Sequence, residues 1–127
     1  MRALLDTSFF VATETGRRLD EIPDVTETEV SVVTVAELTV GVLMANDTNR
    51  PDRVATLSVV ESGWDPLPVN AEVARAFARI VTDLKTRRRR VPILDALVAA
   101  TALAEQIPVV TQDRDYDEIP GVAVIRV

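Results

Sequence analysis

Val30-Ser31-Val32-Val33-Thr34-Val35-Ala36-Glu37-Leu38 decides the fold, because a β-branched apolar run turns there into a helical pattern carrying the acid Glu37. β-Branched residues suit a strand, so residues 29–33 are expected to form the second strand. Leu38, Val42 and Ala45 recur at helical spacing, so a helix is expected over 34–45. Three other acids hold comparable places. Asp6 follows Ala3-Leu4-Leu5, and Asp113 follows Val109-Val110-Thr111 after one intervening glutamine. Asp95 comes three residues after Pro92, inside Ile93-Leu94-Asp95-Ala96-Leu97-Val98.

The same alternation runs outward in both directions. Residues 2–5 read as a buried strand, followed by a helix over 9–14 that Asp6, Thr7 and Ser8 start and Gly16 ends. The polar segment 17–28, containing Pro23, is a loop or a weak helix. After a turn at 46–49, a third helix opens near Pro51, turns Val54, Leu57 and Val60 inward and stops at Gly63. Residues 64–69 carry two prolines and are at most an edge strand. Asn70 caps the clearest helix, with Val73, Ala76, Phe77, Ile80, Val81 and Leu84 along one face and Arg87-Arg88-Arg89-Arg90 at its end. A mostly apolar helix over 92–106 is expected to be buried. A strand at 108–111, a polar turn or short helix at 112–119 and a strand at 122–127 complete the chain. Strands alternating with helices predict an α/β fold of three layers, α/β/α, around a mainly parallel sheet. No repeat or linker interrupts it, so 1–127 is expected to be a single domain.

Composition narrows the chemistry. The 127 residues are 47% hydrophobic and 27% charged, which suits one globular core. Aromatics are only 4%, so that core is built from Val, Leu, Ile and Ala. There is no cysteine, hence no disulfide, thiolate ligand or Cys nucleophile. There is no histidine either. That removes serine triads, histidine general bases and histidine-held zinc. Lys85 is the single lysine. What remains is carboxylate chemistry, and a cluster of hard oxygens selects magnesium or manganese over zinc. The net charge of −6 argues against nucleic-acid binding over the whole surface, while leaving room for a local basic patch. No segment reads as a signal peptide or membrane span, so a soluble, cytoplasmic protein is expected.

Topology gives the four acids a meeting place. In βαβ units the C-terminal strand ends and the following helix N-termini share one edge, where ligands bind. Asp6, Glu37 and Asp113 follow predicted strands, and Asp95 lies in the first turn of a helix that begins on that edge. Clustered carboxylates repel, and a divalent cation relieves the repulsion. Each acid also has a structural reading. Asp6 and Asp113 could simply cap helices, and Glu37 could close a capping box with Thr34. Asp95 suits the helix dipole, yet its neighbours are apolar and burial without a partner is costly. Asp115 and Asp117 read as turn acids, with Asp115 also within reach of a metal. Arg87, Arg88, Arg89 and Arg90 either complement the dipole of the preceding helix or grip phosphates. Trp64 and Tyr116 are candidates for base stacking, with packing the stronger reading for Trp64.

Four pieces together resemble a family: Leu4-Leu5-Asp6-Thr7-Ser8; Ser31-Val32-Val33-Thr34-Val35-Ala36-Glu37-Leu38; Leu94-Asp95-Ala96-Leu97-Val98-Ala99-Ala100-Thr101-Ala102; and Val110-Thr111-Gln112-Asp113-Arg114-Asp115-Tyr116. In order and spacing the chain resembles PIN-domain ribonucleases of the VapC type, the toxins of type II toxin–antitoxin pairs. The resemblance implies a PIN-like fold and a Mg2+- or Mn2+-dependent endoribonuclease with Asp6, Glu37, Asp95 and Asp113 as its acidic cluster. It implies Asp113 or Asp115 as the fourth acid. It also implies supporting hydroxyls at Thr7, Ser8 and Thr111, a homodimer, and inhibition by a small VapB-like antitoxin. Without histidine to deprotonate a ribose 2′-hydroxyl, attack by water is the expected route, leaving 5′-phosphate and 3′-hydroxyl ends. One metal and two are both compatible with the sequence.

Rival enzymes fit less well. A receiver domain wants an acidic pair after strand one and a lysine after the last strand; a haloacid-dehalogenase-like phosphatase wants an acid where Ser8 stands. The remaining alternative is a catalytically inactive PIN-like module that binds RNA or a protein partner.

Overall fold

The computed structural model describes residues 1–22 and 24–127. Along the chain run β1 (Arg2–Leu5), α1 (Thr7–Glu14), β2 (Glu27–Glu29), α2 (Val32–Leu43), α3 (Arg50–Gly63), α4 (Ala71–Thr86), α5 (Ile93–Glu105), β3 (Val109–Thr111), a 3-10 turn (Arg114–Glu118) and β4 (Val124–Arg126). The strands pair in the order β2-β1-β3-β4, all parallel.

Side chains alternate across this sheet as strand geometry requires. Leu4 and Val109 face a cluster built with Val73, Ala76, Ile80 and Leu84 of α4 and with the buried face of α5. Ala3, Leu5 and Val110 face the opposite way, onto Phe10 of α1, Leu38 of α2 and Val60 of α3. The three-layer α/β/α arrangement is thus present, with α4 and α5 on one side and α1 and α3 on the other. The α4 stripe predicted from the sequence is the buried one. α5 buries Ala96, Val98, Ala99, Ala100, Thr101 and Ala102; small residues let it lie close to both α4 and the sheet.

Two expected boundaries are wrong in an informative way. Residues 29–33 are not the second strand. β2 lies at Glu27–Glu29, pairing Arg2 with Glu27 and Leu4 with Glu29, and α2 begins at Val32. Ser31 is the N-cap, its Oγ accepting from Val33 N at 3.0 Å. A capped helix start outweighs the weak strand preference of the valines. β2 is a polar edge strand instead, with Arg2 donating to Glu29 Oε1 at 3.0 Å. Residues 64–69 contribute only one bridge, Ser31 to Leu67. Within the expected loop 17–28, the last two residues belong to β2, and Pro23 lies outside the described residues. No helix among the described residues is long and apolar enough to cross a membrane.

Candidate metal centre

β1, β3, α2 and α5 bring their acids to the C-terminal edge of the sheet. Asp6 ends β1 and caps α1, its Oδ2 accepting from Ser8 N at 3.3 Å. Asp113 follows β3 and caps the 3-10 turn, its Oδ1 accepting from Asp115 N at 2.9 Å. Both caps are real, and neither cap stops its residue from also facing the centre. The capping-box reading of Glu37 fails: Ser31 holds the N-cap, so Thr34 and Glu37 lie inside α2, one turn apart. Asp95 is in the first turn of α5 and 9% exposed.

A web of hydroxyls holds the carboxylates. Thr111 Oγ1 donates to Asp6 Oδ2 at 2.9 Å and accepts from Asp113 N at 2.9 Å. Its proton is committed to Asp6, so Ser8 Oγ, 3.1 Å away, donates to it and accepts from Gln112 N at 3.0 Å. Thr7 Oγ1 donates to Glu37 Oε1 at 2.8 Å and lies 3.0 Å from the hydroxyl of fully buried Thr34. Tyr116 is fully buried, and its hydroxyl donates to Asp6 Oδ1 at 2.8 Å. This corrects the base-stacking candidacy of Tyr116, whose ring has no solvent-facing surface. Sequence reasoning missed the Tyr116 contact and Thr34. The only sequence signal for Thr34 was its place one turn before Glu37.

The electrostatics are those of crowded acids. Burial, then the charges of Asp6 and Asp113, a hydrogen bond with Asp113 and the charge of Glu37 push the Asp95 carboxyl up to about 8. Burial also raises Glu37, against the lowering hydrogen bond from Thr7 and with the charges of Asp6 and Asp113. Asp115 is raised by burial and by Asp113. Carboxyl oxygens of Asp95, Asp113 and Asp115 all lie within 4.8 Å of one another. Asp115 therefore joins Asp113 at the centre rather than replacing it. Among the described residues no arginine or lysine pairs with the side chains of Asp6, Glu37, Asp95, Asp113 or Asp115. Asp117 differs, being tied to Arg126 at 2.6 Å. An all-oxygen donor set of acids without a protein counter-charge fits a hard divalent cation.

The arginine run divides. Arg87 pairs with Asp83 at 2.7 Å and donates to the Glu118 carbonyl at 2.7 Å, and Arg89 lies 3.8 Å from Glu118 Oε2. Arg88, at a left-handed φ of 54°, and Arg90 are exposed without a side-chain partner among the described residues. Trp64 sits elsewhere, edge-on to Phe10 at 5.5 Å and donating to Thr28 Oγ1 at 3.1 Å.

Comparison with known proteins agrees with this geometry. The family model described as PIN domain matches residues 3–122. The chain is 46% identical over 127 residues to "Ribonuclease VapC5" of Mycobacterium tuberculosis, covering 98% of this chain and 92% of that protein. It is 39% identical to "Ribonuclease VapC4" of the same organism, covering 99% and 97%. A crystal structure of a VapBC family toxin–antitoxin member, VapBC-5 from Mycobacterium tuberculosis, superposes with a TM-score of 0.87 at 42% identity, covering 99% of this chain and 98% of that one.

Proposed function

Since the chain belongs to the PIN-domain family, among VapC-type ribonucleases, we propose that it is a metal-dependent endoribonuclease and the toxin of a VapBC-type toxin–antitoxin pair. The observation that carries the reading is the cluster of Asp95, Asp113 and Asp115 oxygens within 4.8 Å of one another, with Asp6 and Glu37 near enough for their charges to raise the Asp95 carboxyl and no cationic side chain paired with any of the five among the described residues. We assign these four, with Asp115, to holding Mg2+ or Mn2+ and to catalysis. When bound, such an ion lowers the pKa of a water and offsets negative charge on the scissile phosphate.

The chain's own groups do the rest. Ser8, Thr111 and Tyr116 fix Asp6, and Thr7 fixes Glu37. We assign Glu37 Oε2, which has no donor among the described residues, to accept the proton of the attacking water. The water oxygen bonds to phosphorus while the bond to the 3′-oxygen breaks and that oxygen takes up a proton from solvent, so the products carry 5′-phosphate and 3′-hydroxyl ends. Arg88 and Arg90 supply exposed positive charge for RNA phosphates. The antitoxin is a VapB-like protein, in keeping with the complexes among the solved neighbours.

The test is cleavage of RNA by purified protein with Mg2+, with Mn2+ and with chelator, for the wild type and for Asp6→Ala and Asp95→Asn. Cleavage that requires metal, and vanishes in folded variants, supports the reading. Cleavage that persists in chelator, or products ending in 2′,3′-cyclic phosphate, overturns the mechanism.

A further inference from the structure

Tyr116 is the only tyrosine of the chain, and its hydroxyl reaches Asp6 across 110 positions of sequence. An ionised carboxylate only accepts hydrogen bonds, and each oxygen has room for about two donors or cations. Asp6 Oδ2 already accepts from Ser8 N and Thr111 Oγ1. Among the described residues Oδ1 accepts from Tyr116 alone. The protein therefore fills one oxygen of Asp6 and leaves a single open place on the other. Tyr116 cannot drift from this role, because its ring is packed in the same cluster as Leu4, Val109 and the buried face of α5.

We propose that Tyr116 is a positioning residue: with Ser8 and Thr111 filling Oδ2, its hydroxyl fixes the direction of the one open place on Asp6 Oδ1 and so favours a small octahedral cation over a larger one. This rests on the acidic cluster being a metal centre. Mg2+ demands near-octahedral geometry, whereas Ca2+ takes more oxygens and accepts carboxylates through both at once. A carboxylate pinned at both oxygens cannot turn to offer the two together. Removal of the phenol hydroxyl keeps the ring and the packing but leaves Oδ1 without a fixed partner, so Asp6 still meets a cation through Oδ1 but no longer along a set direction, which Ca2+ tolerates better than Mg2+.

The experiment is calorimetric titration of metal-free protein with Mg2+, Mn2+ and Ca2+, comparing wild type with Tyr116→Phe. The expected result is about a 10–100-fold loss of Mg2+ affinity, the range for removal of a group that orients a metal ligand. Ca2+ affinity falls less, so the preference for Mg2+ over Ca2+ narrows. A merely structural tyrosine would lower the metal-free melting temperature and leave the isotherms of the folded protein unchanged; that outcome overturns the proposal. Should Tyr116→Phe fail to fold, the wild type still decides. Its single tyrosine is expected to give a near-ultraviolet difference spectrum as Mg2+ binds, and binding with no tyrosine signal counts against the idea. A wild type that binds neither Mg2+ nor Mn2+ sinks the metal centre and this inference together. Wild-type binding matched by an unchanged variant sinks only the role of Tyr116.

Discussion

Asp95 is the residue on which pH acts most strongly. Its carboxyl is raised from 3.8 to about 8 in the folded protein, chiefly by burial and then by Asp6 and Asp113. Between those values the folded state holds a proton that the unfolded chain has lost. The stability this contributes is full below about pH 4 and is lost as pH rises through about 8. Metal-free protein is therefore expected to melt progressively lower from pH 5 to about pH 8, and Glu37, also raised, adds to the fall. A divalent cation takes the place of the proton, so added Mg2+ should raise the melting temperature more at pH 8 than at pH 5. Asp95→Asn should flatten the metal-free profile and abolish cleavage. Thermal melts in chelator across that range check it; a profile for the variant as steep as the wild type's would contradict it. Thr7 acts less directly. Thr7→Val removes the hydroxyl 2.8 Å from Glu37, and about a 10–100-fold loss in metal affinity or activity is expected, read from steady-state cleavage against Mg2+ concentration.

At the level of elements, the helix starts decide where the acids stand. Ser31 caps α2, the helix that carries Glu37, and Asn70 caps α4, which carries none of the acids; its Oδ1 accepts from Val73 N at 3.0 Å. Ser31→Ala and Asn70→Ala should each cost about 1 kcal/mol of stability. Only Ser31→Ala should also lower kcat, because fraying at that end shifts the turn leading to Glu37. Denaturant unfolding and cleavage assays on the pair separate the two effects. The same region shows where sequence reading stops. The stripe of α4 was legible because its period is set by residues within one helix. The valines after Glu29 were not, since their strand preference is weak and Ser31 overrides it. β2 escaped notice because Glu27, Thr28 and Glu29 form a polar edge, recognisable only through partners far away: Arg2 for Glu29 and Trp64 for Thr28. The expectation of a shared edge came from topology, and the carboxyl oxygens found within 4.8 Å of one another are those of Asp95, Asp113 and Asp115. The tyrosine behind Asp6 could not be foreseen, because no local pattern relates positions 110 residues apart.

On the scale of the whole molecule, a chain of net charge −6 has to hold a polyanion at an acidic mouth. Metal at the acids offsets part of the repulsion, and the remaining attraction has to come from unpaired cations nearby. The arginine run between α4 and α5 is not uniform in this respect. Arg87 and Arg89 are engaged by Asp83 and Glu118, whereas Arg88 and Arg90 are exposed with no side-chain partner among the described residues. Each phosphate neutralised on single-stranded RNA contributes about 0.7 to the slope of log affinity against log salt. Replacing both Arg88 and Arg90 by alanine should therefore weaken RNA binding and flatten that slope by roughly 1.4. Arg87→Ala should instead act mainly on stability, by loosening the contact between α4 and the 3-10 turn. Binding is best followed by fluorescence anisotropy in an Asp95→Asn background, where the RNA stays uncut, at several salt concentrations. An unchanged slope in the double variant would mean that the RNA crosses the sheet edge by another route, with Arg88 and Arg90 serving only to complement the C-terminal dipole of α4.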